Sequence, residues 1–178
     1  MKLISLLEKL EYTCLQGSTD QEVKNVVYDS RKVEEGSLFI CIRGAVVDGH
    51  KFVPDVVAKG AKVLIVEEAV EAPEDVTVIL VKDTRYAMAF ISAAYFGYPA
   101  EKLKTIGITG TKGKTTTTYM IKEILEKAGH KVGLIGTIAT YINGKMISES
   151  ARTTPESIEL QKTFAQMVEA GVEYVVME

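Results

Sequence analysis

The chain has 178 residues, of which 47% are hydrophobic and 25% charged, and its formal net charge is −3. This composition fits a folded protein of one large or two small domains, and the weak negative charge gives no electrostatic basis for binding nucleic acid or an acidic membrane surface. No apolar run approaches 18 residues, so we expect no membrane span, and the early charges at Lys2 and Glu8 argue against a signal peptide.

Strands and helices are predicted to alternate along the first half of the chain. An amphipathic helix opens it, with one apolar face made of Leu3, Leu6, Leu7 and Leu10. Short apolar runs predict strands near residues 23–28, 38–42, 63–66 and 78–81. Helices are predicted at residues 51–59 and 85–96, the second capped by Asp83 or Thr84.

The second half starts at a break around Pro99, because proline disfavours helix at the residue before it. We predict a strand at residues 105–109, a glycine loop, a helix at 115–128 ending at Gly129, and a strand at 132–136. The helix is expected to have one apolar face, made of Met120, Ile121, Ile124, Leu125 and Ala128.

The last elements are a hairpin, a helix and a strand. Asn143 and Gly144 predict a type I′ turn within a hairpin over residues 141–147. A helix is expected to begin at Pro155 behind a Thr154 cap and to end at Gly171. Residues 174–177 then predict a buried strand.

This layout predicts the α/β class with two domains, residues 1–98 and 99–178. The first is a small α/β domain, and the second is the start of a P-loop, Rossmann-like domain with a mostly parallel sheet. Because parallel sheets need further strands and covering helices, and the sequence stops one residue after a predicted strand, we expect a fragment. The alternative is a complete small protein.

The cysteines and histidines give no metal-ligand spacing. Cys14 and Cys41 are expected to be free thiols in a reducing compartment. His50 and His130 lie far apart without a partner at ligand spacing, so no zinc-type cage is expected, and His50 is interpreted as a structural or surface residue.

Residues 110–115, Gly-Thr-Lys-Gly-Lys-Thr, join a predicted strand to a predicted helix and predict a phosphate-binding loop. Gly110 and Gly113 permit the backbone to curl so that N–H groups point at phosphate oxygens, and the helix start adds partial positive charge. Lys114 can reach the β- and γ-phosphates, and the Thr115 hydroxyl can coordinate Mg²⁺. The segment therefore predicts binding of a nucleoside triphosphate.

The match to the general pattern G-x-x-x-x-G-K-[ST] is incomplete, because Ile108 stands where that pattern has its first glycine. A plain strand-to-helix turn with a surface lysine is the alternative interpretation. It does not explain why two glycines, a lysine and four consecutive threonines, at residues 115–118, gather at one helix start.

Residues 109–116, Thr-Gly-Thr-Lys-Gly-Lys-Thr-Thr, resemble the ATP loop of the Mur ligase family, which usually reads T-G-T-N-G-K-T, so that Lys112 replaces an asparagine. Residues 29–33 (Asp-Ser-Arg-Lys-Val), 36–40 (Gly-Ser-Leu-Phe-Ile) and 44–50 (Gly-Ala-Val-Val-Asp-Gly-His) resemble the family's N-terminal signature. Residues 153–156 resemble its T-T-P-E step, and residues 136–137 and 176–178 also fit. The resemblance covers essentially the whole chain and is strongest to the ligases that add the third peptide residue.

The resemblance implies an ATP-dependent ligase of peptidoglycan synthesis, and so of cell wall biogenesis, cell shape and cell division, that works through an acyl-phosphate. Its substrates would be UDP-N-acetylmuramoyl-L-alanyl-D-glutamate and an amino acid, diaminopimelate or lysine. The enzyme would be a cytoplasmic monomer that binds neither nucleic acid nor membrane. Residues 1–98 would bind the UDP substrate and residues 99–178 would begin the ATP-binding domain, so this stretch alone would bind without ligating.

The resemblance also implies the site residues, motif by motif. ATP would be bound by Gly110, Thr111, Lys112, Gly113, Lys114, Thr115 and Thr116, with Lys114 as the catalytic residue. Mg²⁺ would be held by Thr115 and Glu178. The UDP substrate would be contacted by Tyr28, Ser30, Ala45, Val46, Val47, Arg152, Thr153 and Thr154, with Arg152 in place of the family's usual asparagine.

Other interpretations stay open. Another Mur ligase or a folylpolyglutamate-type ligase shares the ATP loop, and a truncated nucleotide-binding module would bind without turnover. Locally, Asp48-Gly49 could be only a turn and Thr154 only a helix cap.

Overall fold

The computed structural model of the chain describes residues 1–44, 47–150 and 152–178. They form two compact units, Met1–Tyr95 and Phe96–Glu178. Each unit contains a five-stranded sheet and helices, so the predicted α/β class is confirmed. What each unit binds stays a prediction. Within the described ranges, no helix is both long enough and apolar enough to cross a bilayer.

The sheet of the first unit has the order β1-β5-β4-β3-β2. Its strands pair in parallel except for β1, which runs antiparallel to β5. The strands are β1 (Thr13–Gln16), β2 (Asn25–Val27), β3 (Ser37–Ile40), β4 (Val63–Val66) and β5 (Thr77–Leu80). The edge strand β1 was not predicted, because its residues are mostly exposed and lack an apolar run. By contrast, every residue of β3 and β4 is buried.

The helices of the first unit are α1 (Leu3–Leu6), α2 (Val53–Ala58) and α3 (Thr84–Tyr95), with 3₁₀ turns at Ser30–Lys32 and Gly49–Phe52. The predicted helix at 51–59 therefore begins as a 3₁₀ turn, and α2 starts only where Pro54 can occupy its first turn. The carboxylate of Asp83 accepts a hydrogen bond from the Tyr86 N–H at 2.9 Å, as a cap of α3 does.

The sheet of the second unit has the order β6-β10-β7-β8-β9. The strands β6, β10 and β7 are mutually parallel, and β8 and β9 continue the sheet as an antiparallel hairpin. The bounds are β6 (Lys104–Gly107), β7 (Val132–Ile135), β8 (Ala139–Ile142), β9 (Lys145–Glu149) and β10 (Tyr174–Met177). Positive φ angles of 50° at Asn143 and 77° at Gly144 confirm the predicted type I′ turn.

Two helices and a 3₁₀ turn complete the second unit: α4 (Lys114–Lys127), α5 (Ser157–Glu169) and Pro99–Lys102. The expected apolar face of α4 is wrong for Met120, Ile124 and Ala128, which are exposed, whereas Ile121 and Leu125 are half-buried. Met120 and Ile124 are 61% and 66% exposed, whereas Thr118 and the stem of Lys122 are buried. Thr118 and Lys122 are four residues apart and therefore lie on one face of the helix, which faces the protein interior. Met120 and Ile124 lie on another side and remain exposed.

The start of α5 also differs from the prediction. The helix begins at Ser157 with Glu156 as its N-cap residue, two positions after Pro155. Thr154 is not the cap, because its hydroxyl donates instead to the backbone carbonyl of Glu178 at 2.9 Å. A hydrogen bond to a distant strand end has replaced the local one.

Candidate functional site

The loop between β6 and α4 has the shape that a phosphate-binding loop needs. Gly113 takes a φ of 78°, a left-handed conformation that L side chains rarely adopt, and α4 starts at the next residue. Gly110, Thr111, Lys112 and Gly113 are all exposed. The loop thus presents free backbone to solvent at the positive end of a fourteen-residue helix.

Lys114 is the residue of the loop whose side chain folds back over it. Its Nζ donates to the Gly110 carbonyl oxygen at 2.9 Å, across the loop from the first residue of α4. The ammonium group is therefore already placed over the curled backbone where an anion would bind. Lys112, two residues earlier, is exposed on the loop.

Thr115 and Glu178, the two predicted Mg²⁺ ligands, lie in contact. The Thr115 hydroxyl donates to Oε2 of Glu178 at 3.1 Å, although 63 residues separate them. Glu178 follows β10, the parallel neighbour of β6, so the end of one strand and the helix after the other meet at one sheet edge. Only 9% of Glu178 is exposed.

The donor set of this pair fits Mg²⁺. A hydroxyl and a carboxylate are the hard oxygen ligands that this ion prefers. Adjacent ligands of an octahedron with bonds of about 2.1 Å lie about 3.0 Å apart, close to the observed separation. Thr115 and Glu178 could therefore hold the ion together without rearrangement of the strand or the helix.

Thr137 holds the Glu178 carboxylate in place, and its role was not predicted. Its backbone N–H donates to Oε1 at 3.1 Å and its hydroxyl to Oε2 at 3.0 Å. Gly136 leaves the necessary room, because a Cβ there would lie 2.6 Å from Oε1. A Gly-Thr pair directly after a buried strand is the signal in the sequence that could have indicated this role.

The charge state of Glu178 is set by the same contacts. Burial acts to raise the pKa of Glu178, but hydrogen bonds from Thr137 and Thr115, together with the positive charge of Lys114, outweigh burial and hold that pKa below its ordinary value. The carboxylate is therefore ionised at neutral pH, as a metal ligand must be.

The threonine pair at 153–154 joins this site. The hydroxyls of Thr153 and Thr137 are 3.1 Å apart, and Thr154 bonds the Glu178 carbonyl. Arg152 is exposed and pairs with Glu156, four residues further along the chain and just before α5. Of the predicted ATP ligands, Thr111, Lys112 and Thr116 are exposed on the loop or at the start of α4 and do not share these contacts.

The predicted substrate residues of the first unit follow two adjacent strands. Tyr28 and Ser30 come after β2, and Val47 lies in the segment after β3. Because β2 and β3 are parallel, both segments leave the same edge of the sheet. Val47 is 48% exposed, and its carbonyl accepts the Gly44 N–H at 3.0 Å. Ala45 and Val46 lie outside the described residues.

His50, near the end of strand β3, has a structural role. Its Nδ1 lies 2.6 Å from Oδ1 of Asp48, and its Nε2 accepts the Glu67 backbone N–H at 3.0 Å. Asp48, His50 and Glu68 lie close enough to suggest a metal cluster, but both ring nitrogens of His50 have protein partners and Arg43 pairs with Glu68. We therefore interpret Asp48, His50 and Glu68 as part of a polar network of protein side chains.

Models of known protein families match both units of the chain. The family model described as "Mur ligase family, catalytic domain" matches residues 22–96. The model described as "Mur ligase middle domain" matches residues 108–178. The chain belongs to the Mur ligase family. The resemblance inferred from the loop and the N-terminal motifs is therefore confirmed.

Curated Mur ligases match the chain over its whole length. A protein of Clostridium perfringens named "UDP-N-acetylmuramoyl-L-alanyl-D-glutamate--2,6-diaminopimelate ligase" is 56% identical over 178 residues, 100% of this chain and 37% of that protein. A protein of the same name from Clostridium botulinum is 52% identical over 181 residues, again 100% and 37%. The chain thus spans just over a third of the length of these relatives.

A solved structure confirms the fold. The structure of a UDP-N-acetylmuramoyl-L-alanyl-D-glutamate--2,6-diaminopimelate ligase superposes with a TM-score of 0.77 at 22% sequence identity. The match covers 99% of this Mur ligase chain and 35% of the solved one. At this identity the likeness bears on the fold alone.

Proposed function

We propose that the second unit binds ATP with Mg²⁺, and that the chain is the substrate-binding front part of a ligase that extends the peptide of a UDP-linked cell-wall precursor. One observation carries the proposal: the Thr115 hydroxyl and the Glu178 carboxylate meet at 3.1 Å beside a loop over which Lys114 is folded. A phosphate cradle and a pair of hard oxygen ligands at one helix start are what a triphosphate with its metal requires.

Each residue of this site then has a distinct task. Lys114 exchanges its bond to the neutral Gly110 carbonyl for the β- and γ-phosphate oxygens, and its charge offsets theirs. The backbone of residues 110–113 and the first turn of α4 donate N–H groups to the same anion. Thr115 and Glu178 would hold Mg²⁺, which would supply charge neutralisation for the phosphates. Thr111, Lys112 and Thr116 line the approach to the loop.

The substrate carboxylate is proposed to come from UDP-N-acetylmuramoyl-L-alanyl-D-glutamate. Tyr28, Ser30 and the segment at 45–47 would bind its uridine end in the first unit. Arg152, Thr153 and Thr154 would bind the muramoyl-peptide end beside the Mg²⁺ ligands. Phosphoryl transfer from ATP to the carboxylate would give an acyl-phosphate, and the amine of an incoming amino acid would displace phosphate from it.

The incoming amino acid is proposed to be diaminopimelate, since that is the substrate named for relatives 56% and 52% identical to the chain. We further propose a cytoplasmic monomer. The amino-acid site would lie in the two thirds of the relatives that this chain does not span. The chain by itself would therefore bind both substrates without joining a third residue.

Calorimetric titration of the chain tests the proposal. ADP should bind in the presence of Mg²⁺ and more weakly in excess EDTA. UDP-N-acetylmuramoyl-L-alanyl-D-glutamate should bind at a separate site with unit stoichiometry. A folylpolyglutamate-type ligase would bind a pteroylglutamate instead, so that compound is the matched control. Binding of the pteroylglutamate but not of the UDP compound, or absence of ADP binding, would contradict the proposal.

A further inference from the structure

Thr137 donates more hydrogen bonds to Glu178 than Thr115 does, although only Thr115 and Glu178 are proposed to bind Mg²⁺. It gives the Glu178 carboxylate two hydrogen bonds, one to each oxygen, while Thr115 gives it one. Thr137 itself is exposed, whereas Glu178 is buried, so the two bonds satisfy the carboxylate rather than the threonine. The geometry of Thr137 is therefore directed at Glu178, and this points to a role in the site.

The two bonds from Thr137 restrict rotation of the Glu178 carboxylate, because each holds a different oxygen. With Oε1 held by the Thr137 N–H, Oε2 is turned toward the Thr137 and Thr115 hydroxyls. A glutamate side chain has three freely rotating bonds, so a carboxylate without these anchors would sample other orientations. Gly136 admits this arrangement and a larger residue would not, because a Cβ at that position would fall 2.6 Å from Oε1.

The single hydroxyl proton of Thr137 also sets the direction of a hydrogen-bond chain. The carboxylate is a stronger acceptor than a hydroxyl, so that proton goes to Glu178. The Thr153 hydroxyl, 3.1 Å from Thr137, must then donate to Thr137. The Thr153 hydroxyl then has lone pairs, and no further proton, left to offer.

We propose that Thr137 is a positioning residue, which orients the Glu178 carboxylate toward the metal and links it through its hydroxyl to Thr153. It does not touch the ion or the nucleotide. The inference rests on the proposed function only in that the ion bound by Thr115 and Glu178 is Mg²⁺. It assigns Thr137 a task that neither the loop motif nor the threonine pair at 153–154 describes.

Removal of the hydroxyl tests the assignment. In Thr137→Val the backbone N–H remains, but the bond to Oε2 and the link to Thr153 are lost. Loss of a hydrogen bond to a charged group corresponds to about a ten- to hundredfold change in affinity, so the Mg²⁺-dependent gain in ADP affinity should fall by about tenfold or more. ADP affinity in EDTA should stay within about twofold, because Lys114 and the loop are unchanged.

Three further variants separate positioning from a general structural effect. Thr137→Ser keeps the hydroxyl and should retain the Mg²⁺-dependent gain. Thr163→Val removes a hydroxyl that donates to the Glu159 carbonyl within α5, and should leave the Mg²⁺-dependent gain unchanged. Glu178→Gln should abolish the gain, which would show that the side-chain carboxylate is the ligand. A Thr137→Val variant with the full gain, or a Thr137→Ser variant that loses as much as Val, overturns the proposal.

A titration with Mn²⁺ alone keeps this test independent of the nucleotide. Paramagnetic broadening of the Thr115 and Thr137 amide signals should require about tenfold more Mn²⁺ in Thr137→Val than in the unaltered chain. If the unaltered chain binds Mn²⁺ in this way but never binds ADP, the nucleotide proposal fails while the role of Thr137 stands. Equal broadening in both proteins, or no broadening in the unaltered chain, overturns the role of Thr137.

Discussion

Replacement of Lys114 by alanine is the perturbation that bears most directly on the phosphate loop. Its Nζ already lies 2.9 Å from the Gly110 carbonyl, so binding exchanges a neutral acceptor for a charged one without moving the helix. Hydrogen bonds to charged groups contribute about 1.5–3 kcal/mol, which corresponds to roughly a ten- to hundredfold loss of ADP affinity in Lys114→Ala.

Lys112→Asn is the matched control, because it removes the same charge from the same loop. Lys112 is exposed, and exposed ion pairs contribute about 1 kcal/mol or less, which salt screens further. We therefore expect a loss of about fivefold or less at low salt, which disappears at about 0.5 M salt, where the Debye length is only a few ångström.

The assay is calorimetric titration of both variants with ADP and Mg²⁺ at low and high salt. Thermal unfolding of each variant should confirm that the fold is intact. Equal losses for the two lysines would mean that the loop acts through its summed charge. That result, or an unaffected Lys114→Ala variant, would refute the assignment of Lys114 as the residue that grips phosphate.

Three other predictions concern the carboxylate, a thiol and a surface acid. Gly136→Ala should reduce the Mg²⁺-dependent gain in ADP affinity by about tenfold or more, because the added Cβ would displace the Glu178 carboxylate. Burial raises the pKa of Cys41 to about 12, so at about pH 8 iodoacetamide should alkylate only exposed Cys14 until the chain unfolds. Asp29→Asn should lower the free energy of unfolding by about 1 kcal/mol at about pH 7, measured with urea, and this difference should disappear only as the pH falls below about 2.

The sign of the Asp29 effect follows from its partner. The hydrogen bonds from Arg31 lower the pKa of Asp29 from 3.8 to about 2, so the stabilisation is complete above pH 3.8 and is lost as the pH falls through 2. An effect that grows on acidification would contradict this reasoning.

For Gly136 the control is Gly107→Ala, where a Cβ meets open space. Two rapidly alkylated thiols in the folded chain would contradict the burial of Cys41.

The strands were predictable where burial is two-sided. Residues 63–66 and 174–177 form strands with the bounds expected, because a continuous apolar run between turns leaves few alternatives. Strand β1 was missed because an exposed edge strand carries no such run. The predicted buried face of α4 was wrong in part, since the helix buries Thr118 and Lys122 and leaves the apolar residues Met120 and Ile124 exposed.

The site was predictable where one short segment carries the chemistry. The loop glycines, Lys114 and Thr115 could be interpreted from spacing alone, and the resemblance supplied Glu178. Thr137 was not found this way. The Gly-Thr pair after a buried strand marks its position, but its partner Glu178 depends on β7 and β10 lying side by side, which no local pattern shows. Thr154 was misinterpreted for the same reason: its actual partner is 24 residues away.

The position of β10 between β6 and β7 has a consequence for the order in which the second unit forms. Among the five strands of this sheet, the one that comes last in sequence occupies the second place, and it supplies hydrogen bonds to both neighbours. During synthesis, a gap must therefore remain between β6 and β7, whose other edge pairs with the hairpin, and contacts this distant in sequence form slowly. The nascent unit exposes its unpaired strand edges until residue 177 has left the ribosome. The proposed Mg²⁺ site, which includes Glu178, is then completed only after the other four strands have been made.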